Sequence, residues 1–435
     1  MSKLLAVFLS VVTALSTITA AGVRVQAPAD TGDFTPVLRF IAASDTHVRT
    51  YFDTECRRIQ KMLRLGYAIA DADDAYGALD AVLIAGDLTD DGRKAQFNAF
   101  AAALQSCLRG ETRFLGVTAK AHDGYTMARR EMHDYCAALT GSGTDFHTVI
   151  DGYHFIGLSA SDDDGVHYDD GQIAWLRAQL TEATAEDPLK PVFVMHHEHV
   201  RGTVYGSSEF EGWGETYFTD VLSDFPQAVD FSGHSHYPLN DPRSVWQGAF
   251  TAVGTGAVYY AEFTVDDVRT FHPDGYKKVS TCWIVEVDAE NRVRLRGLDV
   301  NAQEYLCEYI LENPADPANR ELTPEKRAAA SRAPVFAAGA AVKTVCAAGN
   351  CTFTVPAAAS ADGMPVVLYR ALAYDRTGAL VSSAWTLPEY YVSGGQNSIK
   401  LRLSGLGRGA YEVRIVAETA YGVRSEPLIT SVTVR

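Results

Sequence analysis

Basic residues are scarce in this chain. Lys and Arg number 38 against 54 Asp and Glu, which leaves a formal net charge of −16 over 435 residues. Such a surface repels nucleic-acid phosphates and anionic lipid headgroups, which argues against general nucleic-acid binding. A small phosphate substrate stays open, because a bound cation reverses the sign of the local field. Cysteine is scarce too: there are seven residues and no Cys-x-x-Cys spacing. Thiolate zinc and dithiol redox sites are therefore not expected, and buried thiols are the default. Cys346 and Cys351 flank Ala-Ala-Gly-Asn and are placed to pair in an oxidising compartment, while Cys56, Cys107, Cys136, Cys282 and Cys307 are scattered. An odd count leaves the pairing open. Long apolar runs are also missing. Leu4–Leu15 falls well short of the ~20 residues a spanning helix needs, and no other stretch comes closer to spanning a membrane.

What is present is a normal globular composition, 47% apolar, on a chain long enough for two or three domains. Lys3, the apolar Leu4–Leu15 and the small residues Thr19, Ala20 and Ala21 read as an export signal and its cleavage region over residues 1–27. No cysteine follows that apolar core, so no lipid attachment is expected there. The mature protein is expected to be secreted or otherwise extracytoplasmic, without a membrane span.

Apolar strand candidates then end repeatedly in acids and histidines. Val37–Ala43 leads to Asp45 and His47, and Ala81–Ala85 to Gly86-Asp87. Arg113–Thr118 leads to Ala121-His122-Asp123, and Pro191–Met195 to His196-His197-Glu198-His199. Val229 and Phe231 precede Gly233-His234-Ser235-His236. Alternate residues of a strand share a face, so each pair two apart points one way. Helical spacing of apolar residues separates several of these strands, as at Arg57–Ala70 and Gly171–Leu180. A lone histidine is more often a satisfied core or surface residue; a series of such blocks is the pattern of a metal site at strand ends. Histidine and carboxylate without cysteine suit first-row divalent ions.

The five blocks resemble the calcineurin-like metallophosphoesterase family, whose motifs run D-x-H, G-D, G-N-H-[DE], H and G-H-x-H. The resemblance covers about Val37–Val300 and matches four blocks of five. It implies an α/β fold, a β-sandwich flanked by helices in four αββα layers over residues 36–305. It also implies two divalent ions (Mn, Fe, Zn or Ni). Asp45, His47 and His236 would hold the first ion, Asp87 would bridge, and His234 with His196 would hold the second. His196 is preferred over His197 because it comes directly off the strand. His122 would serve as proton donor or charge stabiliser beside the leaving group, and His122, His197 and Arg201 would contact substrate. The implied activity is hydrolysis of a small phosphodiester or phosphomonoester by metal-activated water, with Asp87 and His122 central to it.

One block departs from the pattern. Ala121 stands where the family has a ligating asparagine, and Lys120 where it has glycine. Alanine cannot ligate, so a weakened second site is expected, with Asp123 or His197 as candidates to compensate. The rival reading is a degenerate, non-catalytic binding protein. Asp90 stands where the purple acid phosphatase branch has a ligating tyrosine, so a cyclic-nucleotide phosphodiesterase-like branch fits better. Glu198, His199, Asp162–Asp164, Tyr205, Trp213 and Tyr237 are weaker candidates for the cleft. After a linker at 306–333, residues 334–435 turn to short alternating strands. Tyr411-x-Val413-x-Ile415 and Ala417 resemble a fibronectin type III-like β-sandwich, which implies a spacer or a contact with a cell surface or polymer.

Overall fold

The computed structural model describes residues 17–20, 23–26, 34–161, 166–209, 213–266, 268–392 and 394–435. The expected export segment lies mostly outside them, as do Asp162–Asp164; the backbone of Thr17–Ala20 and Val23–Gln26 forms an antiparallel hairpin at a sheet edge. Among the described residues, no helix is long and apolar enough to cross a membrane.

Two sheets face one another. In the first, Pro36–Ala43, Ala81–Ala85 and Arg113–Val117 run parallel, and Thr281–Asp288, Val293–Asp299 and Glu304–Leu311 extend it by antiparallel pairing. In the second, Tyr153–Gly157, Val192–Met195, Ala228–Ser232 and Thr251–Gly254 run parallel between antiparallel edges. The parallel strands are largely apolar on both faces, as strands covered on both sides tend to be.

Strand alternation sorts these residues into successive cores. Phe40 points between the sheets and meets Phe155, Phe193 and Phe231 edge-on at 5.2, 4.8 and 5.9 Å. Ile41, Val82 and Ile84 point the other way, onto Ile59, Met62, Phe97, Phe100 and Met132 of the helices Thr54–Asp71, Lys94–Gln105 and Arg129–Thr140. On the far side Val192 and Val194 pack under Leu176, Leu180 and Leu222 of Asp170–Glu186 and Thr219–Ser223. The order is helices, sheet, sheet, helices. Parallel strands deliver their C-terminal ends to one rim, and the acidic and histidine blocks sit on that rim.

Glu304–Leu311 is a strand of the first sheet, so the connection expected from residue 306 begins instead after Leu311. It carries the short helix Pro324–Ala330. Beyond it, a three-stranded and a four-stranded sheet enclose Phe353, Tyr369, Leu401, Val413 and Ile415, and Cys346 is bonded to Cys351. This region packs on the first domain through Tyr391 against Phe263 at 4.7 Å and Trp385 against Phe271 at 5.0 Å.

Candidate metal centre

The loops after the first two parallel strands lie side by side. Asp45 and His47 donate their backbone N–H groups to the carbonyls of Gly86 and Asp87 at 3.1 and 3.0 Å, and Val48 donates to Leu88 at 3.2 Å. Asp45, His47, Asp87, His122, His234 and His236 all have left-handed backbone, with φ between 44° and 70°. Left-handed backbone is uncommon outside glycine, and its concentration here marks a functional site. Two glycines make the close approach possible. A Cβ on Gly233 would lie 2.4 Å from Ser44 Oγ and 2.5 Å from Asp45 Oδ2. A Cβ on Gly86 would lie 2.5 Å from His197 Nδ1.

Two donor groups share one carboxylate. Asp45, His47, Asp87 and His236 form the first, and Asp87, His197 and His234 the second, each with ligand atoms within 4.8 Å of one another. Asp87 Oδ2 stands 3.5 Å from His47 Nε2 and 3.4 Å from His197 Nε2. His236 Nε2 is 3.0 Å from Asp45 Oδ1 and 3.2 Å from His47 Nε2. His197 Nε2 is 3.1 Å from His234 Nδ1. His197 Nδ1 is 2.8 Å from the Ala85 carbonyl, which can only accept, so Nδ1 carries a proton and Nε2 is the nitrogen that faces Asp87. Asp87 Oδ1 is buried without a hydrogen-bond partner among the described residues. Crowded imidazole nitrogens and an unsatisfied carboxylate oxygen fit divalent cations, which would satisfy both.

The electrostatics agree. Burial alone would raise the Asp45 and Asp87 carboxyls; the neighbouring imidazoles, His236 for Asp45 and His197 for Asp87, outweigh it and hold both below the usual range. Burial and then His197 push His234 down to about 4, which keeps its ring neutral as a ligand must be.

His122 sits beside the first group, its ring 4.4 Å from that of His47. Its Nδ1 donates to the Asp90 carbonyl at 2.8 Å. Asp90 was legible only as a branch marker, yet its Oδ1 is 3.6 Å from His47 Nδ1 and its Oδ2 2.9 Å from Arg49 Nε. Asp123 does not compensate for Ala121. Its carboxylate accepts the N–H groups of Leu88, Thr89 and Ala119 at 3.1, 2.9 and 3.1 Å, and so pins the Asp87 loop.

The expectation for His196 is corrected. On Val192–Met195, Phe193 and Met195 face between the sheets while Val192 and Val194 face the helices. His196 continues the helix side, 2.9 Å from Asp230 Oδ1 and 4.7 Å from the Phe218 ring. His197 continues the inner side and is the one that joins Asp87 and His234 in the second donor group. Glu198 is buried and accepts from His167 and Tyr168, each at 2.8 Å, and His199 lies between Ser232 and Ser235. Arg201 is exposed, and its amide donates to the Glu215 carbonyl; no described contact joins its side chain to the donor groups. Trp213 reaches the rim, 6.2 Å from the His234 ring and 5.4 Å from Tyr237.

No curated protein matches this sequence. Among solved structures, the purple acid phosphatase PPD1 of yellow lupin is 12% identical with a TM-score of 0.45; the aligned region covers 66% of this chain and 56% of that one. PhoD is 10% identical with a TM-score of 0.41, over 68% of this chain and 73% of that one. A human fibronectin type III domain aligns with 24% of this chain and 88% of its own at 15% identity, with a TM-score of 0.15. The family model for calcineurin-like phosphoesterases matches residues 38–238, which hold every residue of both donor groups. Residues 38–238 therefore form a domain of the calcineurin-like phosphoesterase family.

Proposed function

We propose that this chain is an exported phosphoesterase that hydrolyses a small phosphate monoester or diester with two divalent cations, drawn from Mn, Fe, Zn and Ni. The observation that carries the reading is Asp87 Oδ2, set at nearly equal distance from His47 and His197 and shared by both donor groups. Bound cations would lower the pKa of a water and draw charge from the phosphoryl oxygens. The chain supplies the remainder. Asp45 with His236, and His197 with His234, fix where each cation rests. His122 keeps Nδ1 as a donor to the Asp90 carbonyl, so proton exchange with the leaving oxygen takes place at Nε2. Export is supported by the Lys3 and Leu4–Leu15 pattern and by the Cys346–Cys351 bond, which suits an oxidising compartment.

The test is the rate of hydrolysis of an aryl phosphodiester and an aryl phosphomonoester with Mn, with chelator, and for Asp87→Asn. Turnover of either ester that chelator and Asp87→Asn both abolish is expected. Turnover indifferent to chelator would overturn the reading.

Ala121 keeps a second reading in view, a binding-only form. It predicts that the natural sequence is inert while Ala121→Asn turns over.

A further inference from the structure

Arg49 lies in the loop that carries Asp45 and His47, and the site as described gives it no role. Its Nε donates to Asp90 Oδ2 at 2.9 Å, and its Nη2 lies 3.5 Å from Asp90 Oδ1 and also contacts the Tyr259 hydroxyl. The guanidinium sits over the Tyr259 ring, 4.6 Å from its centre, and that ring is 5.2 Å from the ring of His47. One guanidinium edge is thus fixed by a carboxylate, a phenol and a ring face. No described residue takes Nη1, and the side chain remains 41% exposed.

Asp90 ties this cation to the chemistry. Its carbonyl holds His122, its Oδ2 holds Arg49, and its Oδ1 is near His47. His122 and Arg49 are therefore anchored to one residue on the His47 side of the centre. Ala121, next to His122, offers no polar side chain there. A chain with a net charge of −16 also needs a local cation to draw an anion to its rim. Arg presents a planar fork whose N–H pairs match phosphate oxygens, and a fork held on one edge loses little freedom on binding.

We propose that Arg49 is a substrate-binding residue that donates from its free edge to a non-bridging oxygen of the phosphate. The inference rests on the phosphoesterase reading for the identity of the anion. It does not require turnover.

The experiment uses the metal-loaded full chain, Arg49→Gln and Arg49→Lys. It measures the Kd of inorganic phosphate by calorimetry, KM and kcat for the better aryl ester, and metal content by elemental analysis. Losing a charged hydrogen bond to the anion is expected to raise the phosphate Kd and KM about 10–100-fold in Arg49→Gln. Metal content should hold and kcat should change far less. Arg49→Lys should recover part of the loss. Phosphate affinity and KM within twofold of the natural sequence at equal metal content would overturn the proposal. So would a loss of metal in both single variants, which would make Arg49 a support for the ligands. If the natural chain hydrolyses nothing but Arg49→Gln still loses phosphate, the catalytic reading falls and this one stands.

Discussion

His47 Nε2 and His236 Nε2 face each other at 3.2 Å inside a buried cluster with Asp45 and Asp87. Two ring nitrogens at that distance need a proton or a cation between them, since two lone pairs would repel. Without metal the cluster must hold a proton there and leave Asp87 Oδ1 unsatisfied. A cation that binds the folded state alone stabilises it by about 2.7 kcal/mol at a hundredfold excess over its Kd. For a cooperative unit of this size that is a rise in Tm of about 3–5 °C. Scanning calorimetry of chelator-stripped protein with and without Mn or Zn checks this, and an unmoved Tm would count against a metal centre.

His196 and His197 should separate cleanly. His197→Ala removes a ligand candidate from the second group and should lower bound metal at a fixed free concentration, with a modest change in Tm. His196→Ala should keep the metal and lose stability, because it strands Asp230 buried without its partner. Breaking a buried pair on one side costs about 3–5 kcal/mol. His196→Ala combined with Asp230→Ala should cost less than His196→Ala alone. Elemental analysis and urea unfolding of the variants decide it; metal loss in His196→Ala with retention in His197→Ala would reverse the assignment.

The same pair shows how much of the site was legible. Every block that carries a donor was visible as an acid or histidine after an apolar run, and the order of blocks led to the fold. The choice between adjacent histidines turns on strand parity, and that signal is present in the sequence. Counting in twos from Phe193 and Met195 reaches His197. A strand covered on both faces hides that count, because both sets of residues are apolar. Asp90 and Asp123 are hidden for another reason. Their roles come from loop–loop contacts between distant segments, Asp90 with His47, Arg49 and His122 and Asp123 with Leu88 and Thr89, and no local pattern reports them.

Glu286 provides a pH test away from the centre. It is fully buried between Arg39, Arg294 and Arg296, at 2.7, 2.8 and 2.7 Å. Burial alone would raise its carboxyl; Arg296, Arg39 and Arg294 outweigh that and hold it below its ordinary 4.5. A carboxyl depressed in the folded state adds stability that is fully present above the unfolded value and is lost as pH falls through the folded one. Glu286→Gln should therefore be less stable than the natural chain near pH 7, by about 3–5 kcal/mol for a broken buried network. The gap should narrow as pH drops below 4.5. Urea midpoints of both proteins from pH 7 to pH 3, in chelator, measure it. A gap that stays constant would mean the carboxylate's charge is not what stabilises.

The C-terminal region should prove to be part of the structure that holds the centre, and not a detachable spacer. Just beyond the Gly-His-Ser-His block, the Asn240 amide donates to the Tyr390 carbonyl, and the Tyr390 hydroxyl donates to Asp241 Oδ2 at 3.2 Å. Asp241 in turn takes Arg243 in a fork, at 2.8 Å through both Nε and Nη2. Arg370 makes a second fork to Asp266, 2.7 Å on each side. Ala261, Phe263 and Val279 form one buried cluster with Tyr391. Cutting the chain after residue 333 would expose that cluster and leave Asn240 and Asp241 without partners from the other domain. Tyr391→Ala leaves the chain whole and should cost about 3–5 kcal/mol, as aromatic truncation in a core does. The full chain should melt in one transition, and the truncated chain should melt lower and bind metal more weakly, because segment 240–243 follows His236 so closely. Two separate transitions, with the Tm and metal affinity of the first domain unchanged by truncation, would show the contacts to be incidental.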